Sequence, residues 1–115
     1  MVKQNKYMPG RGDVVWITLD PTLGHEQKGR RPAVVITHQS YAQRVGMCIV
    51  CPITSVTKHY PFEVNYESSI FSGSILTDQM RSVSIKGRDI TFIATLSKSK
   101  LREVMIKILT LLVVV

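Results

Sequence analysis

The sequence predicts a mainly β fold, a small barrel or sandwich, that ends in one amphipathic helix. Short runs rich in β-branched and aromatic residues recur along most of the chain, and turn signals separate them. Over residues 97–112 the spacing of the apolar residues changes to that of one helix face. The 115 residues have the usual size of one domain, so a single domain over residues 1–115 is expected.

Seven segments have the composition and length of strands. They are residues 14–19, 31–38, 47–54, 60–66, 74–77, 82–86 and 90–96. A turn at residues 10–13 precedes the first strand, and Pro21 follows it, because proline cannot continue a β-ladder. The continuous apolar run in the second strand indicates burial on both faces. Residues 38–45 are polar and form either a short helix or a loop.

The predicted C-terminal helix has one apolar stripe. Its members are Leu101, Val104, Met105, Ile108, Leu109 and Leu112. Ser97 or Ser99 can supply the N-cap hydroxyl. At the other end of the chain, residues 1–9 are expected to form a loose, basic lead-in. Residues 113–115 form an apolar tail that is either disordered or packed on a partner.

The charge balance favours a polyanionic partner. Fifteen Lys and Arg stand against eight Asp and Glu, a net charge of +7. Binding to phosphates releases counterions, so RNA, DNA, an acidic protein or an anionic membrane surface would satisfy this charge. No apolar run approaches the roughly 20 residues that span a bilayer, and the N-terminus lacks the apolar segment of a secretory signal. We therefore expect neither insertion in a membrane nor secretion.

Cys48 and Cys51 are the only cysteines, and their CxxC spacing invites a redox or zinc interpretation. The residues around them are apolar and β-like, and side chains three apart on a strand point to opposite faces. A second cysteine pair and the histidine pair of a zinc site are both missing from the sequence. We expect two buried structural thiols, which also suit a reducing cytoplasm.

The most polar connection of the chain spans residues 20–32, between the first two strands. It carries a histidine, two carboxylates, three cations and two glycines. A solvated hairpin loop is one interpretation, and a functional loop on a small scaffold is the other. His25 and Glu26 could act as general base or acid near neutral pH. Arg31, at the start of the second strand, could hold a phosphate bidentately, whereas Arg30 should point the other way.

Two further positions complete a set of groups suited to RNA cleavage. The hydroxyl of Thr54, at the end of the third strand, could donate to a phosphate oxygen, and Ser55 competes for that role. Asp78, with Gln79, follows a short strand and is either a catalytic carboxylate or a turn-capping residue. Internal transfer in RNA needs a base, an acid and donors to the phosphate oxygens. The scheme requires no metal, and no obvious carboxylate cluster for Mg²⁺ is present in the sequence.

Several motifs together carry a family resemblance. The main one is the segment at residues 20–35, and four shorter stretches support it. These are Gly-Asp-Val-Val-Trp at 12–16, Gly-Met-Cys-Ile-Val-Cys-Pro-Ile-Thr at 46–54, Tyr-Pro-Phe-Glu-Val at 60–64 and Leu-Thr-Asp-Gln at 76–79. Together they resemble the MazF/PemK family of toxins. The resemblance covers roughly residues 9–112 and is strongest toward the MazF branch.

The resemblance implies an SH3-like β-barrel with a C-terminal helix, assembled as a homodimer. It also implies a toxin of a type II toxin–antitoxin system that cleaves single-stranded RNA without a metal or other cofactor. The products would carry a 2′,3′-cyclic phosphate and a 5′-hydroxyl. A cognate acidic antitoxin would block the RNA groove, and the setting would be cytoplasmic.

By the same resemblance, Arg31 and Thr54 match the catalytic pair of the MazF branch, and Glu26 matches a loop carboxylate implicated there. His25 and Asp78 match positions proposed in the PemK branch. That branch has an arginine where this chain has Leu76, and Arg81, three residues beyond Asp78, would face the wrong way on a strand. The candidate RNA-binding residues are Lys28, Arg30, Ser55, Lys58, Gln79 and Arg81.

Two other functions on the same barrel stay open. Gyrase-poisoning toxins depend on a C-terminal Trp-Gly-Ile, whereas this chain ends in three valines and has its only tryptophan at position 16. A non-catalytic RNA-binding toxin is the second alternative, and the presence of Arg31 and Thr54 argues against it. The RNA sequence that is recognised should depend on the loops at 20–31 and 55–60, because single-stranded bases are read at their edges and by stacking.

Overall fold

The computed structural model describes residues 7–19 and 29–113 of the chain. Over these residues it has seven strands and two helices. In chain order they are β1 (Asp13–Thr18), β2 (Arg30–Val35), α1 (Gln39–Val45), β3 (Met47–Thr54), β4 (Glu63–Glu67), β5 (Ser72–Leu76), β6 (Arg81–Ser84), β7 (Ile90–Thr95) and α2 (Lys98–Val113). The predicted fold class, mainly β with a C-terminal helix, is confirmed.

The strands form one antiparallel sheet in the order β4-β5-β3-β2-β1-β7, and β6 also pairs with β3. Strand β3 is the centre of this arrangement. One of its edges pairs with β2, while the other pairs with β6 near its start and with β5 near its end. The end of β3 therefore lies where two parts of the sheet meet.

Alternating side chains of the central strands bury two separate apolar clusters, one on each face of the sheet. Val14, Val34 and Cys51 belong to the first cluster. Val15, Ala33, Val35, Cys48 and Val50 belong to the second. The two cysteines are buried, unpaired and on opposite faces, as their spacing predicted. The apolar run of β2 is buried on both faces, which confirms the burial predicted for the second strand.

Helix α2 packs against the first cluster through Val104 and Ile108. The Ser97 hydroxyl accepts the Lys100 amide at 3.2 Å, so Ser97 provides the predicted N-cap. The prediction of a continuous apolar stripe is wrong toward the end of the helix. Leu109 and Leu112 are 53% and 64% exposed. The buried residues of the helix are Val104 and Ile108, and none follows Ile108 in the described part of the helix.

The start of the described chain is packed, which corrects the loose lead-in predicted for residues 7–9. Tyr7 and Met8 pack against the second cluster, and Pro9 is fully buried. The Tyr7 hydroxyl donates to the Asp13 carboxylate, which also accepts the Gly10 amide. Gly12, at the predicted turn, has a φ of +93°. The carboxylate of Asp13 therefore fixes the segment that enters β1.

Element boundaries differ from the prediction at the end of β2 and between β3 and β6. Strand β2 ends at Val35, three residues before the predicted end. Strand β4 begins at Glu63 rather than Tyr60, because residues 55–62 form a long connection. Strand β5 begins two residues early and ends at Leu76, and β6 ends at Ser84. The polar segment before β3 is the short helix α1, which ends at Gly46 in the left-handed conformation.

Candidate active site

The register of β2 against β3 places Arg31 and Thr54 across from one another. Ala33 pairs with Pro52, and Val34 pairs with Cys51. Continuing that antiparallel register by two residues sets Arg31 opposite Thr54, on one face of the sheet. Both side chains line one cavity of about 400 Å³, which we call cavity A. The pairing of two strands therefore brings together the two residues that the sequence singled out.

Cavity A is lined by both apolar and polar residues. Its lining residues are Trp16, Leu19, Arg31, Pro32, Pro52, Ile53, Thr54, Ser55, Phe71, Ser72, Leu76, Gln79 and Arg81. Two of these are arginines and none is a carboxylate. The rings of Trp16 and Phe71 are in tilted contact, with centroids 5.4 Å apart. Cavity A thus presents positive charge and hydrogen-bond donors next to aromatic surface.

Thr54 is held by its neighbours on both sides. Its hydroxyl oxygen accepts the Val56 amide at 3.2 Å, and its backbone pairs with Ser74 of β5. A β-carbon added at Gly73 would lie 2.2 Å from the Thr54 carbonyl oxygen. Such a close backbone approach needs glycine. The sequence contained this signal, a lone glycine inside a strand, but the prediction did not use it.

Arg81 lines cavity A together with Arg31 and Thr54, whereas Asp78 does not line it. The two residues are therefore apart, as expected, but the reason differs from the one predicted. The expectation assumed a continuous strand, whereas Thr77 and Asp78 form a turn between β5 and β6, so strand alternation does not apply across it. One guanidinium nitrogen of Arg81 donates to the Leu19 carbonyl at 3.0 Å.

Arg30 points away from Arg31, as predicted. Its guanidinium carbon lies 5.6 Å from the centre of the Trp16 ring, a cation–π arrangement. Its buried Nε has no hydrogen-bond partner among the residues that the structure describes. Arg30 therefore contacts Trp16, one of the residues of cavity A, and does not itself line the cavity.

Asp78 lines a second cavity, which we call cavity B. Its volume is about 650 Å³, and its lining residues are Thr54, Val56, Lys58, Tyr60, Glu63, Leu76, Asp78 and Gln79. Thr54, Leu76 and Gln79 line both cavities, so the two adjoin one another. Cavity B holds two carboxylates and one lysine, the opposite charge balance to cavity A. Asp78 is therefore not grouped directly with Arg31.

The Tyr60 hydroxyl donates to an Asp78 carboxylate oxygen at 2.5 Å. This hydrogen bond, together with burial and the nearby negative charges, raises the pKa of Tyr60 to about 12. The phenol consequently keeps its proton throughout the neutral range. The bond joins the connection before β4 to the turn after β5.

The remaining predicted site residues, His25, Glu26 and Lys28, lie outside the described residues. The structure does describe the end of β1, which leads toward them. Arg88 donates to the Thr18 carbonyl at 2.5 Å, and Arg81 donates to that of Leu19. Two arginines, one in β6 and one in the connection to β7, thus hold the point where the polar connection begins.

No group of three or more His, Cys, Asp or Glu side chains converges within residues 7–19 and 29–113. Over the same residues, neither helix has the length and apolar character needed to cross a bilayer.

Comparison with known proteins gives a consistent result. The family model for the PemK-like, MazF-like toxin of type II toxin–antitoxin systems matches residues 10–112. The endoribonuclease toxin MazF of Escherichia coli K12 is 38% identical over 104 residues, which are 90% of this chain and 94% of the relative.

Comparison with solved structures points to the same family. MazF from Deinococcus radiodurans superimposes with a TM-score of 0.81 and 39% identity, over 93% of this chain and 98% of that chain. MazF in a MazE–MazF complex from the same organism gives a TM-score of 0.82 and 34% identity, over 94% and 98% of the respective chains. The family match spans β1 through most of α2 and includes both cavities. The chain therefore belongs to the PemK-like, MazF-like toxins of type II toxin–antitoxin systems.

Proposed function

We propose that this protein is a toxin endoribonuclease that cleaves single-stranded RNA. The observation that carries the proposal is the convergence of Arg31 and Thr54 on cavity A, with Arg81 beside them and no carboxylate among the described residues of the lining. Such a cavity attracts a phosphate group. The relatives named as endoribonuclease toxins supply the reaction class. The net charge of +7 is consistent with a nucleic-acid substrate.

In the proposed reaction, the 2′-hydroxyl of the RNA attacks the adjacent phosphorus and the bond to the 5′-oxygen breaks. The products are a 2′,3′-cyclic phosphate and a 5′-hydroxyl. Charge grows on the non-bridging oxygens in the transition state, where the Arg31 guanidinium stabilises it. Because the Thr54 hydroxyl oxygen accepts the Val56 amide, its own hydrogen is available to donate to a phosphate oxygen. The nucleophile comes from the RNA itself, so the scheme does not call for a metal.

The proton transfers are assigned to the polar connection. Glu26 and His25 are the proposed acid–base groups, since carboxylate and imidazole side chains can exchange protons near neutral pH. Asp78 is less suited to this role, because it accepts the Tyr60 hydroxyl in cavity B. Lys28, Ser55, Lys58, Gln79 and Arg81 are proposed to bind the RNA on either side of the scissile phosphate.

The proposal extends to partners and setting. A cognate acidic antitoxin is proposed, because MazE–MazF complexes are known among the solved relatives. A homodimer is proposed from membership of the family. Helix α2 leaves apolar side chains exposed, including Ile106, Leu109 and Leu112, and such surface is typical of contact sites. We place the protein in the cytoplasm, where its RNA substrates occur.

The test is cleavage of a long single-stranded RNA in the presence of EDTA, with mapping of the ends. Discrete cuts with 5′-hydroxyl ends are expected. Arg31→Ala should reduce kcat by about a hundredfold or more, the usual cost of removing a group that stabilises a developing oxyanion. Arg44→Ala is the matched control, because Arg44 is an exposed arginine at the end of α1.

Two results would overturn the proposal. One is the absence of cleavage by the folded wild type at any RNA concentration, with RNA binding retained, which would favour the non-catalytic alternative. The other is an equal rate for Arg31→Ala and the wild type, which would place the chemistry elsewhere. Inhibition of gyrase without RNA cleavage would favour the gyrase-poisoning alternative.

A further inference from the structure

The connection between β3 and β4, residues 55–62, is fastened to the body of the protein at successive points. The Thr57 hydroxyl is 3.0 Å from that of Ser74, and the Thr77 hydroxyl donates to the Phe62 carbonyl at 2.7 Å. The Lys107 ammonium of α2 donates to the Pro61 carbonyl. Side chains of β5, of the turn after it and of α2 thus hold a segment that has no ladder of its own.

Glu63 holds the middle of this connection. Its carboxylate accepts the Lys58 amide at 2.9 Å and the His59 amide at 3.1 Å. His59 has a φ of +58°, the one non-glycine residue with positive φ among those described. A residue with a β-carbon is unfavourable in that conformation. The charge-assisted hydrogen bond from the His59 amide to the Glu63 carboxylate therefore stabilises His59 in this conformation.

The conformation held by Glu63 shapes cavity B. Lys58 and Tyr60, which flank His59, line that cavity, and Tyr60 reaches across to Asp78. Cavity B adjoins cavity A at Thr54. Lys58 and Tyr60 thus lie near the proposed scissile phosphate, and release of the connection would displace their side chains. Both Glu63 oxygens accept backbone amides of this connection.

We propose that Glu63 is a positioning residue that presets the 55–62 connection for recognition of the nucleotide next to the cleaved bond. This inference rests on the proposed function, in which cavity A holds the phosphate. Glu63 acts through Lys58 and Tyr60 and takes no part in the chemical step. It follows that loss of Glu63 should impair binding and selection of RNA more than the chemical step.

The kinetic test compares Glu63→Ala with the wild type on one RNA that contains a preferred cut site. KM should rise by about tenfold or more, the scale expected when a hydrogen-bonded charged group is removed, while kcat at saturating RNA changes less. The set of cut sequences should broaden. Glu63→Gln retains one acceptor oxygen, so its KM should lie between those of the wild type and Glu63→Ala. If Glu63→Ala does not fold, Glu63→Gln carries the comparison.

Glu67→Ala is the matched control. Glu67 is on the same strand and the same side of it, but it is exposed and does not line cavity B. It should leave KM and the cut sites unchanged. The inference is overturned if Glu63→Ala keeps the KM and cut sites of the wild type, or if Glu67→Ala shifts them equally.

A measurement without RNA separates this inference from the proposed function. Amide hydrogen exchange of Lys58 and His59 should be at least tenfold faster in Glu63→Ala than in the wild type, while the amides of β3 keep their protection. Unchanged exchange at both residues would refute the role of Glu63 even if RNA is cleaved. Faster exchange with no cleavage by the wild type would instead refute the proposed function alone.

Discussion

Gly73 of β5 should be required for the position of Thr54. In a Gly73→Ala variant the new β-carbon would start 2.2 Å from the Thr54 carbonyl oxygen and 3.3 Å from the Ile53 side chain. Real β-carbons do not approach closer than 3.0 Å, so the two strands must separate by about 0.8 Å. The obstacle is backbone in a paired strand, which cannot rotate away as a flexible side chain would.

The expected cost has two parts. Forcing extra volume between packed strands destabilises the fold by about 1–3 kcal/mol. A displacement of about 1 Å at a reacting group can lower the rate by as much as ~100-fold. We therefore expect Gly73→Ala to lower kcat/KM for RNA cleavage by at least about tenfold under conditions where the protein is fully folded.

The assay pairs urea unfolding with RNA cleavage. Gly46→Ala is the control, because Gly46 has a φ of +78° and open space around it, at the opposite end of β3 from Thr54. Its backbone strain should cost about 1 kcal/mol with no change in cleavage. Wild-type cleavage by a folded Gly73→Ala variant would refute the reasoning, since Thr54 would then tolerate the displacement.

Three further predictions concern the buried thiols, the Tyr60 hydroxyl and the net charge of the protein. Burial raises the pKa of Cys48 to about 11 and that of Cys51 to about 12, so both thiols should resist a disulfide reagent at pH 8 until the protein is unfolded; reaction of the folded protein within minutes would contradict this. Tyr60 should ionise near pH 12 by NMR titration and nearer its ordinary value in Asp78→Ala, since the raised pKa depends first on that hydrogen bond. Equal titration of Tyr60 in the wild type and in Asp78→Ala would argue against this cause. The stability that the Tyr60 hydrogen bond contributes should be complete below about pH 10 and lost as the pH rises through 12. An acidic antitoxin peptide should bind more weakly as salt is added, because the protein carries a charge of +7; inhibition that is insensitive to salt would rule out an electrostatic mode.

Strand alternation explains which structural features could be predicted without coordinates. The opposite faces of Cys48 and Cys51 follow from a period of two residues, and the double-sided burial of β2 follows from its continuous apolar run. The change to a helical period located α2 to within a residue at each end. Local patterns of this kind depend only on neighbouring residues.

Features that depend on distant residues were predicted less well. The apolar stripe of α2 was extended to Leu109 and Leu112, but periodicity cannot show how far a sheet covers a helix. Arg81 was judged by strand alternation across a segment that is a turn. The roles of Gly73 and Glu63 were missed, since each depends on backbone atoms of another segment.

The sequence by itself determined the fold class, the two-faced core strands, the family resemblance and the choice of Arg31 and Thr54, because these reside in local periodicity and in motifs. Only the tertiary structure decided that the two residues share cavity A with Arg81, while Asp78 lines cavity B beside it. The physical reason is strand register. The pairing of β2 and β5 with the end of β3 sets which side chains meet, and that pairing is fixed by contacts between residues far apart in the chain.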